Sequence, residues 1–210
     1  MASRYRRSDW ICYWLLKWLL VNPAFRLLFQ GRIQGSLPRS GPLIVVSNHA
    51  SHLDPPLVAN AARRPVAFMA KEELFRVPLL SQVIRLYGAY PVRRGGADRR
   101  AIQAAQQALA RGWAVGIFLN GTRSLTGRVE TPHLGAALIA AQTQTPLVPV
   151  ALWGTERIQP KGRKFPRLFA PITVRIGDPI PPPPSTDRQE LQAVTDRCVA
   201  AIHHLLEQGR

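Results

Sequence analysis

Cysteine is nearly absent from this chain of 210 residues. Only Cys12 and Cys198 occur, so neither a disulfide framework nor a cysteine metal centre finds support, and a reducing or redox-indifferent compartment fits. No G-x-S-x-G turn is present, which argues against a serine hydrolase elbow despite Ser47 and Ser51. Long uninterrupted apolar runs are missing too. The most hydrophobic stretch, 10–29, is broken by Lys17, Asn22, Pro23 and Arg26, whereas a spanning helix wants about 20 mostly apolar residues. Acidic residues are scarce: 12 Asp and Glu stand against 28 Lys and Arg, a net charge of +16. Such a surface attracts polyanions. No nucleic-acid recognition motif accompanies the basic residues, so nucleic acid is not the expected partner. No repeat is visible.

What is present begins with WICYWLLKWLLV at 10–21, preceded by Arg4, Arg6 and Arg7. No small-residue cleavage site follows, so the segment is expected to be retained. Ser8 or Asp9 can cap a first helix to about Val21. Asn22 can cap a second, with Pro23 at its first position and Gly31 at its end. Trp10, Trp14 and Trp18 recur every four residues and so share a face. Tryptophan favours the headgroup level, and flanking arginines attract anionic lipid. Residues 1–31 therefore read as a two-helix hairpin lying at a membrane surface, which makes the protein peripheral or monotopic.

Residues 32–42 read as a linker rich in Gly, Ser and Pro, and 43–210 as one domain. Apolar runs at 43–47, 66–70, 89–92, 114–119, 147–153 and 172–176 predict strands buried on both faces. Between them, helices are expected over 98–111 and 134–142. A last helix follows the four prolines 181–184, capped by Thr186 with Gln189 and striped by Leu191, Val194, Cys198, Ile202 and Leu205. The alternation predicts an α/β fold with a mixed, mostly parallel central sheet flanked by helices.

The first predicted strand runs into Asn48-His49-Ala50-Ser51-His52-Leu53-Asp54. A strand end opening onto a helix is where α/β sheets place their sites. A carboxylate against one imidazole nitrogen fixes the tautomer and frees the other nitrogen to take a proton from a hydroxyl. Further along come Gly88 to Arg94, then Asn120-Gly121-Thr122-Arg123 after a strand, then Val148-Pro149-Val150. A Gly-Thr-Arg turn offers backbone donors, a hydroxyl and a guanidinium, the parts of a phosphate cradle. His52 lies three residues after His49, but a metal site needs three or four converging ligands and no further cluster is evident. His203 and His204 read as surface residues near the end of the last helix.

In order and spacing, these blocks resemble the glycerolipid acyltransferase family, whose best-known members are 1-acylglycerol-3-phosphate O-acyltransferases. The resemblance covers roughly residues 40–180. It implies that His49 is the base for the acceptor hydroxyl and that Asp54 orients it, with direct attack on a thioester. It implies phosphate contacts from Lys71, Arg94 and Arg123, helped by Asn120, Gly121 and Thr122. It places Val148, Pro149 and Val150 along the acyl groove. The implied acceptor is a lysophospholipid and the donor acyl-CoA or acyl-carrier protein, with no cofactor, at the cytoplasmic face of an anionic membrane. One departure stands out: the family carries Glu where this chain has Asn120. That leaves open a different lyso-lipid acceptor, or a membrane-surface binding module with a degenerate site.

Overall fold

A computed structural model describes residues 14–15, 17–78, 80–86, 89–92, 99–110, 112–158 and 167–210. Seven strands form one sheet: β1 (Arg32–Gln34), β2 (Leu43–Ser47), β3 (Val66–Lys71), β4 (Tyr90–Val92), β5 (Ala114–Phe118), β6 (Leu147–Trp153) and β7 (Thr173–Ile176). Their order is β1-β7-β6-β2-β5-β3-β4. Every pairing is parallel except β6 with β7. The expected mixed, mostly parallel α/β architecture is what forms.

The helices are α1 (Asp54–Ala62), α2 (Leu80–Leu86), α3 (Arg99–Ala110), α4 (Gly135–Thr143), the single turn α5 (Thr155–Ile158) and α6 (Arg188–Glu207). Both faces of the sheet are covered, which is why β2 is buried at all five positions and reads as an unbroken apolar run. On one face Val45, Phe68 and Val148 pack with Leu57 and Val58 of α1 and with Phe25 and Phe29. On the other, Ile44, Val46 and Val115 pack with Ala105 and Leu109 of α3, Ala136 and Ile139 of α4, and Val194, Cys198 and Ile202 of α6. Burial pushes the Cys198 thiol up to about 12, so it behaves as core.

Three local expectations are corrected. The supposed linker supplies β1, an edge strand registered Arg32 to Thr173 and Gln34 to Arg175. The cap of α6 is Asp187, not Thr186; its carboxylate accepts from the Gln189 amide at 3.0 Å. A charged acceptor suits the positive end of the helix dipole better than a hydroxyl. His203 is half-buried rather than a surface residue, because its Nε2 accepts from the Val129 amide at 3.2 Å.

The hairpin expected over 1–31 lies partly outside the described residues, which exclude 1–13 and 16. Residues 17–28 wind without a break through Asn22 and Pro23, mostly as wide π-type turns. Lys17 is 3% exposed and donates to the Ala59 carbonyl at 3.2 Å, near the C-terminal end of α1. Burial, then the charge of Arg63, pushes its ammonium down to about 8. No helix among the described residues is long and apolar enough to cross a membrane.

Burial first, then the Arg128 charge, holds His203 below the usual imidazole range. His52 is lowered in the same direction. The unfolded chain therefore binds more protons than the folded one below about pH 6.5. Stability is present above that pH and declines as pH falls through it. Melting temperature against pH should show this decline, and His203→Gln, which keeps an acceptor that does not titrate, should make it shallower.

Candidate active site

Strands β2 and β5 are neighbours, yet the helices that follow them leave in opposite directions. α1, after β2, covers one face, and α4, the next helix after β5, covers the other. The carboxyl ends of the two strands therefore border a crevice, the place where open α/β sheets bind ligands. Residues 48–54 line one side and 119–124 the other. The Leu119 amide donates to the Ser47 carbonyl, and the Ser124 amide to that of His49 at 2.7 Å, stitching the two loops together.

His49 and Asp54 meet here. Imidazole Nδ1 lies 2.7 Å from Asp54 Oδ2, and the carboxylate is fully buried at the first turn of α1. The same Oδ2 accepts from the amides of Ala50 at 2.7 Å and Ser51 at 2.8 Å. Pro55 and Pro56 follow at positions where helix geometry demands no amide donor. A carboxylate held by two amides at a helix N-terminus is kept still, and so fixes the imidazole. With Nδ1 committed to Asp54, Nε2 is the ring nitrogen left free to exchange a proton.

The ring is also held from the side. Phe118, the last residue of β5, stacks on His49 with centroids 4.1 Å apart and planes 16° apart. Phe68 stacks in turn on Phe118 at 5.6 Å and 17°. Phe68 can lie there because β5 has glycine at 116: a Cβ at that position would come within 2.2 Å of the Phe68 ring. Neither phenylalanine stood out in the sequence; an aromatic at the end of a strand, just before the Asn-Gly-Thr-Arg turn, is the signal that was available.

Asn48 is a further residue missed. It is fully buried between three segments. Its amide nitrogen donates to the carbonyls of Gly127 at 2.7 Å and Leu152 at 2.9 Å, and its oxygen accepts from the Leu152 amide at 2.8 Å. It pins the residue before His49 to the end of β6 and to the 127 loop. A polar residue directly after a wholly buried strand hints at such a clasp.

Arg123 sits on the loop that is stitched to His49 through the Ser124 amide. One of its guanidinium nitrogens is buried and has no hydrogen-bond partner. Its charge is felt at His52, which burial first, then Arg123, then His49 depress, with Asp54 opposing. His52 thus belongs to the electrostatic setting of the site. Gly121 adopts a left-handed φ of 62° beside the ring of His133, and Gly121 and Thr122 are exposed on the turn.

Other expected site residues are placed differently. The Asn120 side chain is turned into the protein: its nitrogen donates to the Arg128 carbonyl at 3.0 Å, and its oxygen accepts from the amides of Glu130 and Thr131. It shapes the turn rather than facing the crevice. Val148 and Val150 are core residues beneath α1, and Pro149 is buried with its carbonyl accepting from Gly177. Alternation in a strand covered on both faces leaves these three no open surface. Lys71 ends β3; Arg94 lies outside the described residues. Among the described residues, no three His, Cys, Asp or Glu side chains converge as metal ligands would.

Residues 30–153 match the family model described as Acyltransferase. The chain is 33% identical over 187 residues to the chloroplastic 1-acyl-sn-glycerol-3-phosphate acyltransferase BAT2 of Brassica napus, covering 86% of this chain and 53% of that protein. It is 32% identical over 139 residues to a lyso-ornithine lipid O-acyltransferase of Pseudomonas aeruginosa, with 66% and 53% covered. The crystal structure of the 1-acyl-sn-glycerophosphate (LPA) acyltransferase PlsC from Thermotoga maritima superposes with a TM-score of 0.78 at 29% identity, covering 99% of this chain and 85% of that one. The chain spans about half the length of the curated relatives it matches.

The clasp at residue 48 carries a stability prediction. Asn48→Ala leaves buried backbone groups at Gly127 and Leu152 without partners, at about 1–3 kcal/mol for each unsatisfied group. Chemical denaturation should register a loss on the order of 3 kcal/mol.

Proposed function

Because this chain belongs to the acyltransferase family, we propose that it transfers a fatty acyl group from a thioester to the free hydroxyl of 1-acylglycerol 3-phosphate, giving phosphatidate. The donor is acyl-CoA or acyl-carrier protein. The enzyme works from the cytoplasmic face of an anionic membrane, as a peripheral or monotopic protein.

In this reading His49 Nε2 takes the proton of the acceptor hydroxyl as its oxygen attacks the thioester carbonyl. The C–O bond forms, the C–S bond breaks, and the departing thiolate receives the proton back from His49. Asp54 holds the ring in the tautomer this needs and stabilises the imidazolium in between. No acyl-enzyme and no cofactor are required. The acceptor phosphate is gripped by Arg123, with Thr122 and the Gly121 backbone beside it and Lys71 and Arg94 as further cations. The observation that carries the assignment is the buried, unpartnered nitrogen of Arg123, on the loop bonded to the segment that holds the His49–Asp54 pair. A guanidinium left short of acceptors suits an anionic head group.

The relative acting on a lyso-ornithine lipid makes a lyso-amino-lipid the second acceptor to consider. An unpaired cation favours phosphate over it.

Protein in mixed micelles, given two thioester donors and a panel of lyso-acceptors, separates these readings. Free thiol should appear only when donor and acceptor are both present, fastest with 1-acylglycerol 3-phosphate. His49→Ala should lower kcat by about a hundredfold or more. Arg123→Met should lower kcat/KM by roughly tenfold to a hundredfold for the phosphate acceptor alone. Equal rates with phosphate-free acceptors would defeat the phosphate role, and a wild type with no turnover would favour the binding module.

A further inference from the structure

An aromatic residue is held in backbone that favours glycine, at an exposed position two residues after Arg167. Phe169 has φ 63° and is 65% exposed; Leu168 beside it is 50% exposed. Left-handed backbone is unfavourable for a residue with a Cβ, and bulky side chains are rarely found there. The conformation is kept by a seam of backbone hydrogen bonds to the N-terminal turns. The Phe169 amide donates to the Leu28 carbonyl at 2.6 Å, Ile172 to Phe29 at 3.0 Å, and Arg32 to Ile172 at 3.0 Å. On the far side of the loop, Arg167 donates to Ile158. The seam continues into the β1–β7 pairing, so the loop is bound firmly to the 17–32 segment.

That segment turns its own apolar side chains outward: Leu27 is 72% exposed, and Trp18 and Leu19 are similarly bare. Leu27 neighbours the residue to which Phe169 is bonded. Arg26 and Arg32 on that segment and Arg167 on the loop bonded to it are all exposed. Apolar side chains rimmed by cations match a leaflet whose surface is anionic and whose interior is hydrocarbon.

We propose that loop 167–170 is a second membrane-contacting element, in which Leu168 and Phe169 enter one leaflet of an anionic bilayer beside Leu27 while Arg26, Arg32 and Arg167 bind lipid phosphates. The strain at Phe169 is then retained because the aromatic side chain has a use there. A second copy of the chain fits this face less well. A two-fold contact would bring this arginine-bearing patch against an identical one in a protein already at +16.

This inference rests on the membrane-surface reading given above, and the test separates the two. Full-length protein is sedimented with phosphatidylcholine vesicles with and without phosphatidylglycerol, comparing wild type with Phe169→Gly and Leu168→Ser. Wild type should bind the anionic vesicles. Each variant should bind about tenfold more weakly, as expected when a large apolar side chain no longer enters the leaflet. Phe169→Gly should at the same time melt no lower than wild type, since glycine relieves the backbone, and turnover of a water-soluble short-chain acceptor should persist. Variants that bind vesicles as wild type does would overturn the role of the loop alone. So would a loss of self-association in the variants with vesicle binding intact. A wild type that ignores anionic vesicles would overturn the membrane-surface reading itself.

Discussion

A single carboxylate oxygen organises the active end of this molecule. Asp54 Oδ2 accepts from the amides of residues 50 and 51 and lies against His49 Nδ1, all within 2.8 Å. The two amides fold the segment after β2 back upon the start of α1, and that turn carries the imidazole into the crevice. Burying a carboxyl group is costly unless hydrogen bonds offset it; Oδ2 has three partners, while Oδ1 is buried without one. The arrangement is local and depends on the register of β2, since moving the strand by one residue would turn His49 toward the other face.

Around that turn the protein spends its buried polar groups on holding backbone. Asn48 clasps β6 and the 127 loop, and Asn120 plays the same part for residues 128–131. This gives the Asn120 departure a physical meaning. An amide there donates to one carbonyl and accepts from two amides, whereas a carboxylate has no proton to give the Arg128 carbonyl. The turn is built around an amide, and Arg123 beside it keeps a guanidinium nitrogen without a hydrogen-bond partner. The stacked rings of Phe68, Phe118 and His49 complete the mounting, so the imidazole is constrained both in its plane by Asp54 and across it by Phe118.

Much of this was legible in the chain because its signals are short-range. The buried runs of β2, β5 and β6, the stripe along α6 and the five-residue spacing of His49 and Asp54 need no knowledge of distant partners. The unread parts are tertiary. β1 is three exposed residues with no period to detect, and it exists because β7 offers an edge. His203 becomes an acceptor only when α6 packs beside Val129, and Phe118 touches His49 only because β5 pairs with β2. Val148 and Val150 were assigned to a groove by motif, yet a strand covered on both faces sends them into the core. Asp187 displaced Thr186 as a cap by one residue, the scale on which sequence signals for helix ends compete.

The central claim is that Asp54 holds the proton on Nδ1 of His49 and leaves Nε2 free to act. Nitrogen-15 NMR of histidine-labelled protein reads this tautomer directly. At neutral to mildly alkaline pH the account predicts that the His49 Nδ1 resonance is that of a protonated nitrogen and Nε2 that of an unprotonated one, with the preference lost in Asp54→Ala. A His49 signal from the Nε2–H form, or one indifferent to residue 54, would contradict it.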